Sequence, residues 1–245
     1  MGFQLARHQP NPKDSFLQAR IASYMGVSKA TVSRVLRRAG LSRLSALQPA
    51  EPVQRYEREA PGDLLHIDIK KLARFEQIGH RITGNRRQNS RGSGWDYLFV
   101  AIDDHSRAAF TQIHPDERRE SATCFLHAAT DYFATLGVPI LRLLTDNGSA
   151  FRSHDFRHAC AELGITHKFT RAYRPQTNGK AERFIQSALR EWAYGHAYPS
   201  SDERGAALAE WNHFYNWHRP HQGIGSQVPM SRLSAKHNNV LTLHS

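Results

Sequence analysis

Residues 63–199 switch several times between a two-residue and a 3.6-residue hydrophobic period, and few architectures accommodate such switching. Residues 64–69 read as a strand. Residues 97–102 and 108–114 read as a hairpin that turns through Asp103, Asp104, His105, Ser106 and Arg107. Residues 120–136 carry a helical period closed by Gly137 and Pro139. A strand follows at 140–145, then a helix capped by Ser153 and stopped by Gly164, a last strand at 165–169 and a long helix over 178–197. Three strands, a helix, a strand, a helix, a strand and a helix predict an α/β fold: one mixed sheet with helices on both faces.

The flanks read differently. Residues 1–41 predict a small all-α helix-turn-helix. Asp14 caps a first helix carrying Leu17, Ile21 and Ala22, Gly26 permits the turn, and Ser28 caps a second helix over 29–39 that Gly40 stops. Val32, Val35 and Leu36 are expected to face its core. Lys29, Ser33, Arg34, Arg37 and Arg38 are expected to face outward, as residue types that can enter a DNA major groove. Residues 42–62 read as a linker broken by Pro49, Pro52, Pro61 and Gly62. Residues 63–199 are the expected core. Residues 200–245 read as one helix with Trp211, Phe214, Tyr215 and Trp217, packed on the core, and an irregular tail.

Charge narrows the partner. The net charge is +11, of which residues 1–60 carry +6 and residues 71–94 carry +5. An excess clustered in two segments points to a polyanion, nucleic acid first. The second segment reads as an insertion at 72–94 between the first two strands, a basic loop whose Arg86, Arg87 and Arg91 contact phosphates. No apolar run approaches the roughly 20 residues of a membrane span, and residues 1–12 lack the apolar stretch of a signal peptide. Cys124 and Cys160 form no CxxC pair, so no structural zinc is expected. A soluble protein of the cytoplasm fits these features.

Three acids stand out by position. Asp68 lies in the first strand, Asp146 directly follows the fourth, and Glu182 lies in the first turns of the long helix. Any one of them has an ordinary reading: a strand-end acid, a turn in Asp146-Asn147-Gly148, a solvated helix acid. Together they fit one site at the sheet edge, where ligands of α/β sheets usually sit. Three carboxylates suit two Mg²⁺ ions, with Mn²⁺ as the substitute, since these take oxygen ligands and keep phosphate oxygens in their shell. No small-molecule cofactor is expected.

The stretches His66-Ile67-Asp68-Ile69-Lys70-Lys71, Ala101 through Arg107, Leu144-Thr145-Asp146-Asn147-Gly148-Ser149, Tyr173 through Phe184 and Tyr215 through His221 together resemble the bacterial insertion-sequence transposases with a retroviral-integrase-type catalytic core. Thirty-five residues separate Asp146 from Glu182, the spacing of that family. The resemblance implies a ribonuclease H-like fold, which the element order also matches, and a catalytic, metal-binding triad of Asp68, Asp146 and Glu182. It implies hydrolysis of a phosphodiester at an element end, then attack of the freed 3′-hydroxyl on target DNA. It also implies a homo-oligomer on paired DNA ends, in the bacterial nucleoid. Two rival functions are a nuclease of the same fold that cuts without joining, and a helix-turn-helix regulator with an idle core.

Around the triad, Arg174, Lys180 and Arg183 are the expected phosphate contacts, and Gln186 lies one turn beyond Glu182. Asp103 and Asp104 are expected only to close the hairpin. His154, His158 and Cys160 have a spacing that can bind zinc, but loose ligands on an exposed helix usually bind nothing. About thirteen residues precede the first recognisable helix, fewer than relatives carry, so a truncated reading unit with weak sequence recognition is expected.

Overall fold

The structure, a computed structural model, describes residues 18–39, 57–78, 84, 92, 94–170 and 178–233. The chain divides into two compact units, Met1–Tyr56 and Glu57–Ser245.

In the first unit, α1 (Gln18–Met25) and α2 (Lys29–Arg38) are joined by a turn at Gly26, whose φ of +64° favours glycine. Ser28 caps α2 as expected, its hydroxyl accepting from the Thr31 N–H at 3.1 Å. Ala22 and Val32 are buried. Val35, expected in the core, is 57% exposed, because the helical period marks an apolar stripe but not how much of it a partner covers. Asp14, Leu17 and Gly40 lie outside the described residues.

The second unit is built on a five-stranded mixed sheet in the order β3-β2-β1-β4-β5. Its strands are β1 (Leu65–Arg74), β2 (Gly94–Asp103), β3 (Ala109–His114), β4 (Arg142–Thr145) and β5 (Thr166–Phe169). The first three form an antiparallel meander, while β4 joins β1, and β5 joins β4, in parallel. Strand alternation sorts the side chains between two cores. Leu65, Ile67, Phe99 and Ala101 face α3 (Arg119–Thr135) and α4 (His154–Glu162), meeting Phe125, Phe133 and Phe156. Leu72, Leu98, Val100 and Ile102 face α5 (Gly179–Ala188) and α7 (Leu208–Trp217), meeting Phe184, Ile185, Trp211 and Tyr215. Helices therefore cover both faces.

Three boundaries differ from expectation. The long helix ends at Ala188 and passes into a π-helical turn over Leu189–Ala193, where Trp192 turns inward and donates its indole N–H to the Arg204 carbonyl at 2.8 Å. The C-terminal part holds two helices, α6 (Ser201–Ala206) and α7, and both belong to the same compact unit as the sheet. The insertion starts later than residue 72, since β1 and β2 pair without a break from Leu65↔Asp103 to Arg74↔Gly94.

β1 outruns its other neighbour. It pairs with β2 over its whole length but with β4 only at Leu65 and His66. Beyond that point its outer edge is met by side chains. The Ile67 carbonyl accepts from Asn178 Nδ2 at 3.4 Å, the Ile69 N–H donates to Asp68 Oδ1 at 2.8 Å, and the Ala73 carbonyl accepts from Arg204 Nη2 at 2.9 Å. Just past the strand, the Phe75 N–H donates to Ser201 Oγ at 2.9 Å and its carbonyl accepts from the Ser201 N–H at 2.8 Å. All of these are odd-numbered residues, as ladder alternation requires of groups pointing to one edge. Among the described residues, no helix is long and apolar enough to cross a membrane.

Candidate active site

Two of the three acids lie where the parallel pairing of β1 with β4 ends. Leu65 is level with Leu143 and His66 with Leu144. Asp68 lies two residues past the last residue of β1 paired with β4, and Asp146 directly follows the last residue of β4, so both acids lie at the end where the parallel pairing stops. Asp68 shares its face of β1 with His66 and Leu72, the face that α5 covers. α5 is amphipathic: Ala181, Phe184, Ile185 and Ala188 are buried, while Glu182, Arg183 and Gln186 are exposed. Glu182 therefore stands in the first turn of a helix packed over the strand that carries Asp68.

The electrostatics register this convergence. Burial, set against a hydrogen bond from the Ile69 N–H, pushes the Asp68 carboxyl up to about 6, and the charges of Asp146 and Glu182 both push the same way, outweighing Lys70. Asp146 is exposed, and its Oδ1 accepts from the Gly148 N–H at 2.9 Å in an Asx turn. A β-carbon at Gly148 would come within 3.0 Å of that oxygen. The next residue braces the turn, Asn147 Nδ2 donating to the Thr170 carbonyl at 3.0 Å.

Among the described residues, no three His, Cys, Asp or Glu side chains are drawn together tightly enough to hold an ion as they stand. The donor set still suits a hard divalent cation: three carboxylates, with like charges acting on one of them. The His154, His158 and Cys160 grouping does not come together. His158 pairs instead with Glu162 at 3.3 Å, and Cys160 is buried.

Asp103 and Asp104 require a correction. Asp103 does close the hairpin, its carboxylate accepting from the Ser106 N–H at 2.7 Å, the Ser106 hydroxyl at 2.6 Å and the Gly62 N–H at 2.8 Å. Asp104 does more than turn the chain. It is wholly buried, lies 2.7 Å from His66 Nε2, pairs with Lys180 and accepts the Arg58 N–H at 2.7 Å. Burial opposes its ionisation, but those hydrogen bonds hold its carboxyl well below the usual range. Lys180, expected as a phosphate contact, pairs with Asp104. Its partner is 76 residues away, beyond the reach of local reading.

Of the other expected contacts, Arg183 is exposed beside Glu182, and in the first unit Lys29, Arg34, Arg37 and Arg38 are exposed while Ser33 is half-buried. Arg86, Arg87, Arg91 and Arg174 lie outside the described residues. Sequence reasoning missed His66 and Asn178. The available signal for His66 was its place two residues before Asp68 in a strand, hence on the same face.

Models of the integrase core domain match residues 58–175 and 163–229. The integrase ORF3 of Spiroplasma virus SpV1-C74 is 26% identical over 152 residues, covering 57% of this chain and 42% of that protein. The transposase InsD for insertion element IS2D of Escherichia coli (strain K12) is 36% identical over 102 residues, covering 40% of this chain and 33% of that protein. The chain thus spans less than half the length of these relatives. A chain of the simian T-cell lymphotropic virus intasome structure matches in fold with a TM-score of 0.55 at 18% identity, over 89% of this chain and 75% of that one.

Proposed function

This chain belongs to the integrase core domain family, and from that premise we propose that it is a DNA transposase which cuts element ends and joins them to target DNA. The observation that supports the reading is that the charges of Asp146 and Glu182 both act on the half-buried carboxyl of Asp68, in a chain whose core matches the integrase core domain models. These three would hold two Mg²⁺ ions, or Mn²⁺, which when bound activate the attacking oxygen and stabilise the leaving one.

The chain's own residues set up the rest. The Ile69 N–H orients one oxygen of Asp68, and the Gly148 N–H orients one of Asp146, leaving the other oxygens for ligation. The exposed Arg183, one residue past Glu182, steadies a phosphate beside the acids. In the first reaction the oxygen of water adds to phosphorus and the 3′ oxygen departs, taking up a proton. In the second the resulting 3′-hydroxyl adds to a target phosphorus, losing its proton, and a target 3′ oxygen departs. Each step forms one P–O bond and breaks one. The partners are two classes of DNA, element ends and target, and further copies of the chain on them. α2 offers Lys29, Ser33, Arg34, Arg37 and Arg38 to the groove, the basic segment between β1 and β2 offers Arg86, Arg87 and Arg91 to phosphates, and Arg174, ahead of α5, offers another contact.

The test uses labelled DNA carrying the element's ends, Mg²⁺ or Mn²⁺, and a target plasmid. Nicked ends and joined products are expected. Asp68→Asn, Asp146→Asn and Glu182→Gln should each lower both by about a thousandfold or more while DNA affinity stays within about twofold. Near-wild-type cutting by any of the three removes that residue from the triad. Cutting without joining reduces the protein to a nuclease, and DNA binding with neither leaves a regulator.

A further inference from the structure

Glu182 is the acid whose position the sheet does not determine. Asp68 belongs to a strand and Asp146 follows one directly, but α5 begins at Gly179, ten residues beyond the end of β5 at Phe169. Its start is instead tied to β1 by side chains. Asn178 stands at the N-cap of α5, yet it makes no capping hydrogen bond. It is buried, with Oδ1 at 3.1 Å from His66 Nδ1 and Nδ2 donating to the Ile67 carbonyl at 3.4 Å. The other ring nitrogen of His66 lies 2.7 Å from Asp104 Oδ1, and the same oxygen receives Lys180. Asp104 is itself tied down, donating its N–H to the Leu64 carbonyl at 2.9 Å and accepting the Arg58 N–H. The contacts close a ring from β1 through the end of the hairpin to two residues of the first turn of α5. Asn178 is four residues and Lys180 two residues before Glu182, and His66 is two before Asp68.

We propose that His66, Asp104 and Asn178 are positioning residues that hold the first turn of α5 against β1, so that Glu182 is presented beside Asp68. Lys180 is the counter-charge that keeps Asp104 in this ring, not a phosphate ligand. The metal part of the inference rests on the triad assigned above, whereas the anchoring of α5 does not.

The test compares full-length wild type with Asn178→Ala, which removes both arms at the helix start, and Lys180→Gln, which removes the counter-charge but leaves an N–H donor in its place. Three readouts are followed: Mn²⁺ affinity by electron paramagnetic resonance, hydrogen exchange of residues 179–184, and the salt dependence of DNA binding. Asn178→Ala is expected to weaken Mn²⁺ binding by about tenfold or more, the scale on which residues behind metal ligands act. Raised Mn²⁺ should restore its nicking, which a general folding defect would not allow. Exchange of the first turn of α5 should quicken in both variants, and Lys180→Gln should keep the wild-type salt slope. Unchanged exchange in a folded Asn178→Ala protein overturns the proposal, as does a Lys180→Gln variant with a flattened slope and wild-type Mn²⁺ affinity. If Asn178→Ala does not fold, Asn178→Ser is read by the same exchange measurement. If the wild type binds no Mn²⁺, the metal reading of the triad fails, and hydrogen exchange alone decides whether the ring anchors α5.

Discussion

Two buried or half-buried acids on one side of the sheet have opposite characters, and the difference lies in their neighbours. Asp104 is surrounded by donors and stays ionised. Asp68 has one N–H, much burial and two like charges, and its carboxyl is pushed up to about 6 from 3.8. A folded-state value above the unfolded one means that stability is fully present below about pH 4 and is lost as pH rises through 6. Two units correspond to about 3 kcal/mol at most, and partial exposure of Asp68 reduces this to about 1–2 kcal/mol. Without divalent cations, Asp68→Asn should therefore become more stable than wild type by about that amount between pH 4 and 7, measured as the difference of two urea-unfolding series. Added Mn²⁺ should stabilise wild type and leave Asp68→Asn far less affected. A constant difference across that pH range would show that Asp68 ionises at its ordinary value.

At the scale of elements, the strands and α3 were legible because alternation and helical period are strong there, and Ser153 caps α4 as read, accepting the Phe156 N–H at 3.2 Å. Ser153→Ala should cost about 1 kcal/mol, read as a lower urea midpoint at unchanged slope. What was illegible depended on distant partners. The inward turn of Trp192, which closes the long helix early, is set by Arg204, and the fate of Lys180 is set by Asp104. The places of the three acids, inside a strand, just past a strand end and at a helix start, are set by local pattern. The ring behind them is not, since it joins His66 to Asn178 across 112 residues. The basic segment between β1 and β2 carries its prediction from composition. Replacing Arg86, Arg87 and Arg91 by Ala should weaken binding alike for all DNA sequences and flatten the salt dependence by up to about 0.9 log units per lost phosphate contact. An effect confined to one sequence would assign the segment to base reading.

The second unit is well packed, whereas the described residues of the first are mostly exposed. Two aromatic-rich cores sandwich the sheet of the second unit. Among the described residues of the first, only Ala22 and Val32 are buried, while Tyr24 is 88% and Met25 63% exposed. A recognition helix reads bases only when held rigidly, so DNA affinity should exceed sequence discrimination. Competition against scrambled DNA at fixed salt should give a specificity ratio below about a thousand; a larger ratio would mean that α2 is held as firmly as a dedicated reader. A final consequence comes from the strand that outruns its neighbour. A half-bare strand is a template on which a second chain can lay its own backbone. Here Asn178, Asp68, Ser201 and Arg204 already occupy groups along that margin, and Lys70, Lys71 and Arg74 add charge along it. The sheet is thereby self-limiting: copies of the chain can be crowded together without exchanging strands there or seeding a fibre.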